Sequence, residues 1–317
     1  MLGKPTHLEP GDTIGVVSPA SAPPNPQAID DSVAAILRLG FKAKLGRNVR
    51  QRAGFLAGAD RERASDLMAM FLDRRVKAIV CVRGGYGSAR LLELLDYSLL
   101  RSHPKILVGY SDITALHCAL LTRANLISFH GPMLKSDLIK QDLPDFTWQG
   151  LVRTLTRSAP PGSICQGYRK QTVSVLRPGR VSGRLMGGNL SILCGSLATP
   201  FQPSFKRKIL FFEEVNEVPY RIDRMLTQLL NAGLLQQVAG IAIGLNRNCK
   251  DPKAATAKEY RQSSADVFAE RLLPLKVPIV SGLPFGHVSH NATLPVGGRA
   301  TLDGDLGDLV ITEAVVS

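Results

Sequence analysis

The sequence predicts an α/β protein whose N-terminal part is built on a parallel β-sheet, and two patterns lead to this prediction. Apolar runs such as VKAIVCV alternate with segments such as DRERASDLMAMFLDRR, in which Leu67, Met70 and Phe71 repeat at helical spacing. This alternation is typical of a parallel sheet that helices cover on both faces. After about residue 155 the strands follow one another across turns, which indicates a second, more β-rich domain.

The N-terminal elements follow one another in a regular order. DTIGVVSPAS predicts a buried strand over 13–18, and a helical pattern over 27–39 ends at Gly40. FKAKLG, VKAIVCV, KILVG and NLISFHG predict further strands, while DRERASDLMAMFLDRR, SARLLELLDY and the residues after Ser111 predict helices. Ligands bind beyond the carboxyl ends of such strands. The GG pair of VRGGYG and Ser111 each follow a strand directly, so a site is expected there.

The predicted boundaries are an N-terminal α/β domain over residues 1–155, a linker over 156–170 and a C-terminal β-rich domain over 171–317. The linker prediction rests on the Pro, Gly and Ser residues of RSAPPGSICQGYRKQ. In the C-terminal domain, strands are expected in TVSVLRPGRVSGRL, KILFFEEV, GIAIGL and RATLDGDLGDLVIT. Helices are expected over 219–233 and 263–273.

The composition is that of an ordinary globular protein, with 44% apolar and 21% charged residues. No apolar run approaches the ~18 residues of a membrane span. The chain start, MLGKPTHLEPGDTIGVVSPAS, lacks a basic region followed by an apolar core, so we expect no signal peptide and a cytoplasmic location. The five cysteines are widely spaced and never form a CxxC pair, which disfavours disulfide frameworks and zinc fingers.

The net charge of +13 is unevenly distributed along the chain. Residues 146–212 contain no acidic residue, but they contain ten of the basic ones: Arg153, Arg157, Arg169, Lys170, Arg177, Arg180, Arg184, Lys206, Arg207 and Lys208. Either these residues form a solvated basic surface, or their field draws in an anionic ligand. Nucleic acid is not the expected partner, because no zinc finger, RNP motif or basic heptad region accompanies the charge.

The segment VGYSDITALH places Ser111 in the turn between a strand and a helix. A serine at this position can present its hydroxyl outwards, with helix amides behind it that stabilise a developing anion. It can equally be the N-cap of the helix. The G-x-S-x-G elbow is incomplete, because Ile113 occupies the position of the second glycine. Spacing alone leaves both interpretations open.

Glycines and carboxylates provide two further candidates. In VRGGYGSARLL, Gly84 and Gly85 permit positive φ angles and a close approach of backbone N–H groups to a ligand, although a plain tight turn explains them equally well. Glu213 and Glu214 end an apolar strand, and Glu217 precedes a helix. A partly buried carboxylate at a strand end can orient an imidazole; the alternatives are salt bridges and a charge at a helix N-terminus.

The segment LPFGHVSHNATLPVGG contains the candidate general bases. His287 follows a glycine in a loop, and His290 is its rival. His117, on the helix after Ser111, is expected to be structural. H-E-x-x-H is absent and the histidines do not cluster with carboxylates at ligand spacing, so we expect neither a metal nor a cofactor.

Six stretches occur in order over nearly the whole chain: FLAGADRERASDLMAMFLD, AIVCVRGGYGSARLLELLDY, LVGYSDITALH, GRLMGGNLSIL, ILFFEEVNEVPYRIDRML and GHVSHNATLPVG. Their combination resembles the LD-carboxypeptidase (muramoyltetrapeptide carboxypeptidase) family of serine peptidases. The resemblance implies an N-terminal α/β domain similar to the class I glutamine amidotransferases, joined to a smaller β-rich C-terminal domain. It also implies a Ser–His–Glu triad shared between the two.

The resemblance places each member of this triad on a residue of the chain. The nucleophile of the family's G-Y-S-D motif falls on Ser111. The family's carboxylate, the first acid after the apolar strand, falls on Glu213, and the histidine of G-H-x-x-x-N-x-T-L-P falls on His287. The implied oxyanion hole uses the backbone N–H groups of Gly85 and Asp112.

Two further assignments follow from the same resemblance. Many members have Glu-Asp where this chain has Glu213 and Glu214, so a shift of one residue would select the second acid. Adjacent residues of a strand point to opposite faces, which makes the choice testable, and we favour Glu213. Arg184 and Asn189, in and around GRLMGGN, are predicted substrate contacts from their position near that motif alone.

The family's substrates are murein tetrapeptides, from which the terminal D-alanine is removed by cleavage after the L-centre of the third residue. The implied role is a cytoplasmic step of cell-wall recycling by a homodimer, with a small muropeptide as partner and neither nucleic acid nor membrane. The alternative is similarity to the microcin C immunity hydrolases, which cut peptidyl-nucleotides and need a nucleobase pocket. Trp148, the only tryptophan, does not discriminate between the two. A catalytically silent muropeptide-binding module is the rival from another class.

Overall fold

The N-terminal half contributes five parallel strands to a six-stranded sheet. The strands are β1 (Thr13–Val17), β2 (Lys42–Leu45), β3 (Val76–Cys81), β4 (Ile106–Gly109), β5 (Ser128–His130) and, from the C-terminal half, β12 (Leu294–Val296). Their order is β2-β1-β3-β4-β5-β12, and only β12 is antiparallel to its neighbour. The predicted parallel sheet is therefore confirmed. The computed structural model describes residues 2–169, 171–250 and 262–317.

Helices connect these strands and cover the sheet. They are α1 (Ala28–Arg38), α2 (Asp60–Leu72), α3 (Tyr97–Ser102), α4 (Thr114–Ala119) and α5 (Asp145–Leu155). SARLLELLDY, predicted as one helix, forms a 3₁₀ helix over Ser88–Leu94 and then starts α3, because Asp96 caps a new helix by accepting from the N–H groups of Ser98 and Leu99. Among the described residues, no helix is long and apolar enough to cross a bilayer.

The C-terminal half forms an eight-stranded sheet with a parallel centre. Its strands in spatial order are β6 (Gly162–Ser163), β14 (Asp308–Ile311), β13 (Arg299–Asp303), β8 (Arg180–Asn189), β9 (Lys208–Glu213), β10 (Gly240–Leu245), β11 (Ile279–Gly286) and β7 (Ser174–Arg177). The four strands from β8 to β11 are parallel, and the flanking strands are antiparallel. The helices of this half are α6 (Leu190–Gly195), α7 (Pro219–Asn231) and α8 (Ser264–Leu272).

Two short strands tie the segments of the chain together. β6 lies within the predicted linker over 156–170 and pairs with β14. β12 lies within the predicted C-terminal domain over 171–317, yet it pairs with β5 and extends the N-terminal sheet. Each of these strands pairs with a distant part of the chain. Each sheet therefore has an edge strand that lies outside the sequence segment predicted for its domain.

A single hydrophobic cluster reaches from one sheet into the other. Val80 and Phe129 of the first sheet belong to the same buried cluster as Leu185, Phe211 and Phe285 of the second. The rings of Phe211 and Phe285 pack edge to face with centroids 5.8 Å apart. Burial of large apolar side chains is the main favourable term in folding. This shared core therefore fixes how the carboxyl ends of the two sets of strands face one another.

Arg63, on α2, is a buried cation that holds the loops at one end of the first sheet. Only 2% of the residue is exposed. Its guanidinium donates to the carbonyl oxygens of Gly58 at 3.2 Å, Gly87 at 2.9 Å and Pro19, and it pairs with the carboxylate of Asp60. Since Pro19 follows β1 and Gly87 follows β3, the side chain bridges two loops that border the region where the site is expected.

We predict that Arg63→Met lowers the free energy of unfolding by about 3 kcal/mol, because the loop carbonyls and Asp60 lose their shared donor while staying largely buried. Urea denaturation followed by circular dichroism measures this change. Arg75→Met is the control: Arg75 also pairs with an aspartate, but its side chain is 79% exposed, so stability should hardly change. Equal losses for the two variants would contradict the bridging role of Arg63.

Candidate active site

The glycine pair and the three proposed triad residues lie at the carboxyl ends of parallel strands. Gly84 and Gly85 follow β3, and Ser111 comes two residues after β4. Glu213 is the last residue of β9, and His287 follows β11 directly. Loops at this end of parallel sheets are where ligands bind. The structure thus brings the four sequence segments to the side of the two sheets where chemistry is expected.

Ser111 occupies a strained backbone conformation. Its φ is +64°, a left-handed value that is costly for a residue with a Cβ. It is the first residue of a 3₁₀ turn, Ser111–Ile113, that leads into α4. The cap position of that turn is Tyr110, and neither the turn nor α4 has a side-chain cap. The structure therefore argues against the interpretation of Ser111 as a helix N-cap.

The two glycines after β3 pack closely against neighbouring segments, Gly84 against the serine turn and Gly85 against Ser21. A Cβ at Gly84 would lie 2.9 Å from the Cβ of Ser111 and 3.3 Å from the backbone nitrogen of Asp112, so no side chain fits there. Gly85 has a φ of +110°, and a Cβ there would lie 2.6 Å from Oγ of Ser21. The lack of side chains thus allows two backbone segments to approach each other at Ser111.

Asp112 fixes the serine turn to the next loop through its side chain and its carbonyl. Its Oδ2 accepts from the N–H of Ser88 at 2.8 Å, and its carbonyl accepts from the hydroxyl of Ser88 at 2.5 Å. The residue is 3% exposed. Because its carboxylate is engaged in this way, only its backbone N–H is a candidate for contact with a reacting group.

His287 and Glu213 form a short, buried hydrogen bond. Nδ1 of the imidazole lies 2.6 Å from Oε2 of the carboxylate. The side chain of Glu213 is fully buried, whereas that of His287 is 18% exposed. The imidazole also packs edge to face on Tyr110, with ring centroids 4.9 Å apart. The residue immediately before Ser111 thus contacts the ring of His287. Because Nδ1 is bonded to Glu213, Nε2 is the ring nitrogen that remains for proton transfer.

Glu214 points away from the imidazole into a set of donors. Its oxygens accept from the N–H groups of Ser191 at 2.8 Å and Val215 at 2.9 Å and from the hydroxyl of Ser191 at 2.7 Å. Strand alternation explains why adjacent acids at the end of β9 have different partners. In the geometry, Glu213 is the acid beside His287, and Glu214 is an anchor for the start of α6.

Asn189, predicted as a substrate contact, is buried and serves the two acids. Its Nδ2 donates to Oε1 of Glu214 at 2.9 Å and to Oε1 of Glu213 at 3.3 Å. Its backbone N–H donates to Oγ1 of Thr114, on the helix after Ser111, at 2.9 Å. Only 4% of the residue is exposed. We therefore treat Asn189 as a positioning residue and no longer as a substrate contact.

Arg184, the other predicted substrate contact, is not brought to the site. It precedes Asn189 by five residues on β8, which at about 3.3 Å per residue places it roughly 16 Å away along the strand. Its guanidinium donates to the carbonyl of Gly297 at 2.8 Å and to Glu313 at 3.0 Å. The motif GRLMGGN runs along the strand, so proximity in sequence did not mean proximity to the site.

The remaining candidates lie apart from the His287–Glu213 pair. His290 is exposed and packs against Phe146 and Tyr168, with centroids 5.8 and 5.7 Å away. His117 is buried, with Nε2 and Nδ1 both 2.8 Å from the Gly109 carbonyl and the Ser128 hydroxyl respectively, as expected of a structural histidine. Glu217, at 25% side-chain exposure, lies just before α7 and pairs with Arg221 of that helix at 3.5 Å.

Two residues at the site were not identified from the sequence, Tyr110 and Asp137. Tyr110 is 4% exposed and contacts both His287 and Asp137. Burial raises the pKa of Tyr110 well above its ordinary value, and burial likewise raises the pKa of Asp137. Tyr110 lies in the quoted GYSD motif, so its position was a usable signal. Asp137 lies seven residues after β5, outside the motifs singled out in the sequence, so no sequence pattern marked it as a site residue.

Opposing influences set the pKa of His287. Burial acts to lower it, but the hydrogen bond to Glu213 and the negative charges of Glu213, Glu214 and Asp137 outweigh this, so the pKa is raised. The imidazole is therefore a stronger base than free histidine, which suits a group that takes a proton from a hydroxyl.

Among the described residues, no group of three or more His, Cys, Asp and Glu side chains is arranged to hold a metal ion.

An open cleft of about 690 Å³ lies beside the imidazole. It is lined by Tyr110, Lys135–Asp137, Lys140, Arg247, His287, Val288 and Ser289. Trp148 does not line it; this side chain borders a separate apolar cavity between α1 and α5.

The geometry defines a class of protein. A strained serine on a strand-to-helix turn, backbone amides packed against it, and a carboxylate-held imidazole nearby are the arrangement of hydrolases that transfer acyl groups.

The comparisons with known proteins then identify the family. Residues 14–131 match the LD-carboxypeptidase N-terminal domain, and residues 182–302 match the LD-carboxypeptidase C-terminal domain. The chain belongs to the LD-carboxypeptidase family and is thus a peptidase of the hydrolase class.

Individual relatives agree with this assignment. The chain is 39% identical to a probable murein peptide carboxypeptidase of Bacillus subtilis over 95% of this chain and 91% of the relative. Its structure is similar to that of the muramoyltetrapeptide carboxypeptidase from Oxalobacter formigenes, with a TM-score of 0.82 at 30% identity, covering 95% and 99% of the two chains. It is also similar to MccF in complex with glutamyl sulfamoyl guanosine, with a TM-score of 0.88 at 26% identity, covering 99% of each chain.

We predict that Glu213→Gln lowers the pKa of His287, because the charge and the strongest hydrogen bond that raise it are removed while burial remains. The NMR titration of the His287 ring measures this directly. A base must be neutral to act, so the acid limb of the kcat/KM profile should move to lower pH as well. Glu214→Gln is the matched control: it removes a charge that does not touch the ring. An equal or larger shift in that control would contradict the pairing.

Proposed function

We propose that this chain is a serine carboxypeptidase that removes the terminal D-alanine from murein tetrapeptides by cutting the L,D peptide bond. The observation that carries the proposal is the His287–Glu213 pair beside the strained Ser111 turn, in a chain of the LD-carboxypeptidase family. The proposed triad is Ser111, His287 and Glu213. Metal and cofactor play no part in the proposed chemistry.

In the first half-reaction, Nε2 of His287 takes the proton of the Ser111 hydroxyl, and the serine oxygen attacks the carbonyl carbon of the scissile bond. In this proposal the tetrahedral oxyanion accepts hydrogen bonds from the backbone N–H groups of Gly85 and Asp112, and the close packing of the neighbouring Gly84 against Ser111 and the Asp112 nitrogen supports this choice. His287 then gives its proton to the leaving amine, D-alanine departs, and the tripeptide remains as an ester on Ser111.

In the second half-reaction, His287 takes a proton from water, and the resulting hydroxide attacks the ester. Collapse of the second tetrahedral intermediate releases the tripeptide and returns the proton to Ser111. Glu213 holds Nδ1 protonated and stabilises the imidazolium of each step. Asn189, which also donates to Glu214, donates to the other carboxylate oxygen of Glu213 and holds it in place.

The biological setting is part of the same proposal. Release of D-alanine from tetrapeptides is a step of cell-wall recycling, which we propose takes place in the cytoplasm and is carried out by a homodimer. Such peptides contain several carboxylates, and the acid-free residues 146–212 contribute to a net charge of +13 that favours their approach. Analytical ultracentrifugation tests the dimer, and muropeptide profiles of a deletion strain test the recycling role.

The alternative substrate is a peptidyl-nucleotide, and the structural similarity to MccF is the reason to consider it. A nucleobase is held by an aromatic side chain stacked on its face. Trp148 lies away from the cleft, against an apolar cavity, so it does not supply such a platform beside His287. The tetrapeptide is therefore the better-supported substrate, and hydrolysis of an aspartyl or glutamyl nucleotide analogue tests the alternative.

We predict that Ser111→Ala lowers the release of D-alanine from L-Ala-γ-D-Glu-meso-diaminopimelate-D-Ala by at least about 10³-fold, because no nucleophile is left to form the ester. An enzymatic D-alanine assay measures the rate. Ser98→Ala, at an exposed position on α3, is the control and should retain full activity. Release by both variants would contradict the serine mechanism, and no release by the folded wild type would contradict the tetrapeptide assignment.

A further inference from the structure

Three cations face the cleft beside His287. Lys135, Lys140 and Arg247 line it together with Tyr110 and the imidazole. Lys140 and Arg247 are exposed and Lys135 is half-buried. Within residues 2–169, 171–250 and 262–317, none of the three forms a salt bridge, unlike Arg63, Arg90, Arg184 or Arg271, which all pair with carboxylates. Unpaired positive charge in a concave site is suited to an anionic ligand.

The backbone of these residues is fixed by both halves of the molecule. The N–H of Lys135 donates to the carbonyl of Val82, the residue after β3, at 2.8 Å. The N–H of Arg247 donates to the carbonyl of Glu214 at 3.0 Å, and its carbonyl accepts from the N–H of Asn216 at 2.9 Å. Lys135 and Arg247 therefore start from anchored positions, the first beside the segment that leads to Gly84 and Gly85 and the second beside the turn that carries Glu214.

Asp137, the carboxylate that the described part of the chain contributes to the lining of the cleft, does not neutralise this charge fully. Asp137 is 4% exposed, and its Oδ2 accepts from the N–H of Met133 at 3.0 Å. The charge of Lys140 also acts on this carboxylate, and Tyr110 contacts it. The carboxylate is thus buried, whereas Lys140 and Arg247 are exposed.

The chemistry of the proposed reaction decides which part of the substrate reaches this cleft. His287 has to give a proton to the leaving amine, so that amine must lie within hydrogen-bond distance of its ring. The cleft has His287 in its wall, and the leaving residue therefore enters it. The α-carboxylate of that residue is only two bonds from the amine nitrogen, which places it on the same side as the cations.

We propose that Lys135, Lys140 and Arg247 form a subsite that binds the terminal carboxylate of the leaving residue and thereby restricts cleavage to the last peptide bond. This inference rests on the proposed function and deepens it. An endopeptidase would have to place an amide at this position, which offers no charge to three cations. Charge-assisted hydrogen bonds to the carboxylate would favour a free C-terminus over a longer chain.

The test compares the tetrapeptide with two amidated forms. In one form the terminal residue is D-alaninamide, and in the other the free carboxylate of the diaminopimelate side chain is amidated. The enzymes are the wild type, the single variants Lys135→Met, Lys140→Met and Arg247→Met, and the triple variant that combines them. Lys42→Met is the control, because Lys42 is an exposed lysine at the amino end of β2, the end of the sheet away from the site. Thermal unfolding confirms that each variant is folded.

We expect the wild type to prefer the free terminal carboxylate over the terminal amide by about 10²-fold in kcat/KM, and the triple variant to lose most of this preference. Each single variant should raise KM by about tenfold with kcat changed by less than about threefold, since the chemical groups are untouched. Lys42→Met should behave as the wild type does. For each enzyme, the second comparison is the ratio of kcat/KM for the peptide amidated on diaminopimelate to that for the unmodified peptide. This ratio should be nearly the same for the wild type and the triple variant.

Three results would overturn the subsite. An unchanged preference in the triple variant, with D-alanine still released, would overturn it while leaving the proposed function intact. A loss of preference at diaminopimelate and not at the terminus would show that the cations bind the acyl side of the substrate. Absence of D-alanine release by the folded wild type would overturn the proposed function and this inference together.

Discussion

The geometry of the site depends above all on the burial of the Glu213 carboxylate against His287. Charges removed from water are costly unless they are paired and hydrogen-bonded. Here a 2.6 Å hydrogen bond and the Asn189 amide offset that cost, and the attraction exceeds what an exposed pair would have because water is excluded. The same interaction sets the ring orientation and raises the pKa of His287. Removal of either side chain would take from the other the hydrogen bond that offsets its burial.

The second acid makes this arrangement rigid. Glu214 has no role in proton transfer in our proposal, yet it accepts four hydrogen bonds that fix the start of α6 and the end of β9. Asn189 joins the two acids and also donates through its backbone to Thr114, on the helix that follows Ser111. A continuous set of hydrogen bonds thus connects the proposed acid in one sheet with the proposed nucleophile turn in the other. Distortion at Asn189 would reach both.

Much of the fold could be predicted from local patterns. Strands such as VKAIVCV and KILFFEEV are apolar because both faces of a central parallel strand are buried, and this leaves a clear signal in the sequence. The break of SARLLELLDY into a 3₁₀ helix and α3 depends on one capping aspartate, and the pairing of β12 with β5 depends on contacts between residues more than 160 positions apart. Local periodicity contains no information on such pairing.

The sequence by itself determined the α/β class, the strand ends at which the proposed Ser111, Glu213 and His287 lie, and the family resemblance. Only the tertiary structure decided which of two adjacent acids faces the imidazole, that Asn189 is buried behind them and that Arg184 lies elsewhere on its strand. It also brought Arg247 into one cleft with Lys135 and Lys140, which lie far earlier in the sequence. The physical reason is that strand position follows from local hydrophobicity, whereas the direction of a polar side chain follows from partners that folding alone brings near.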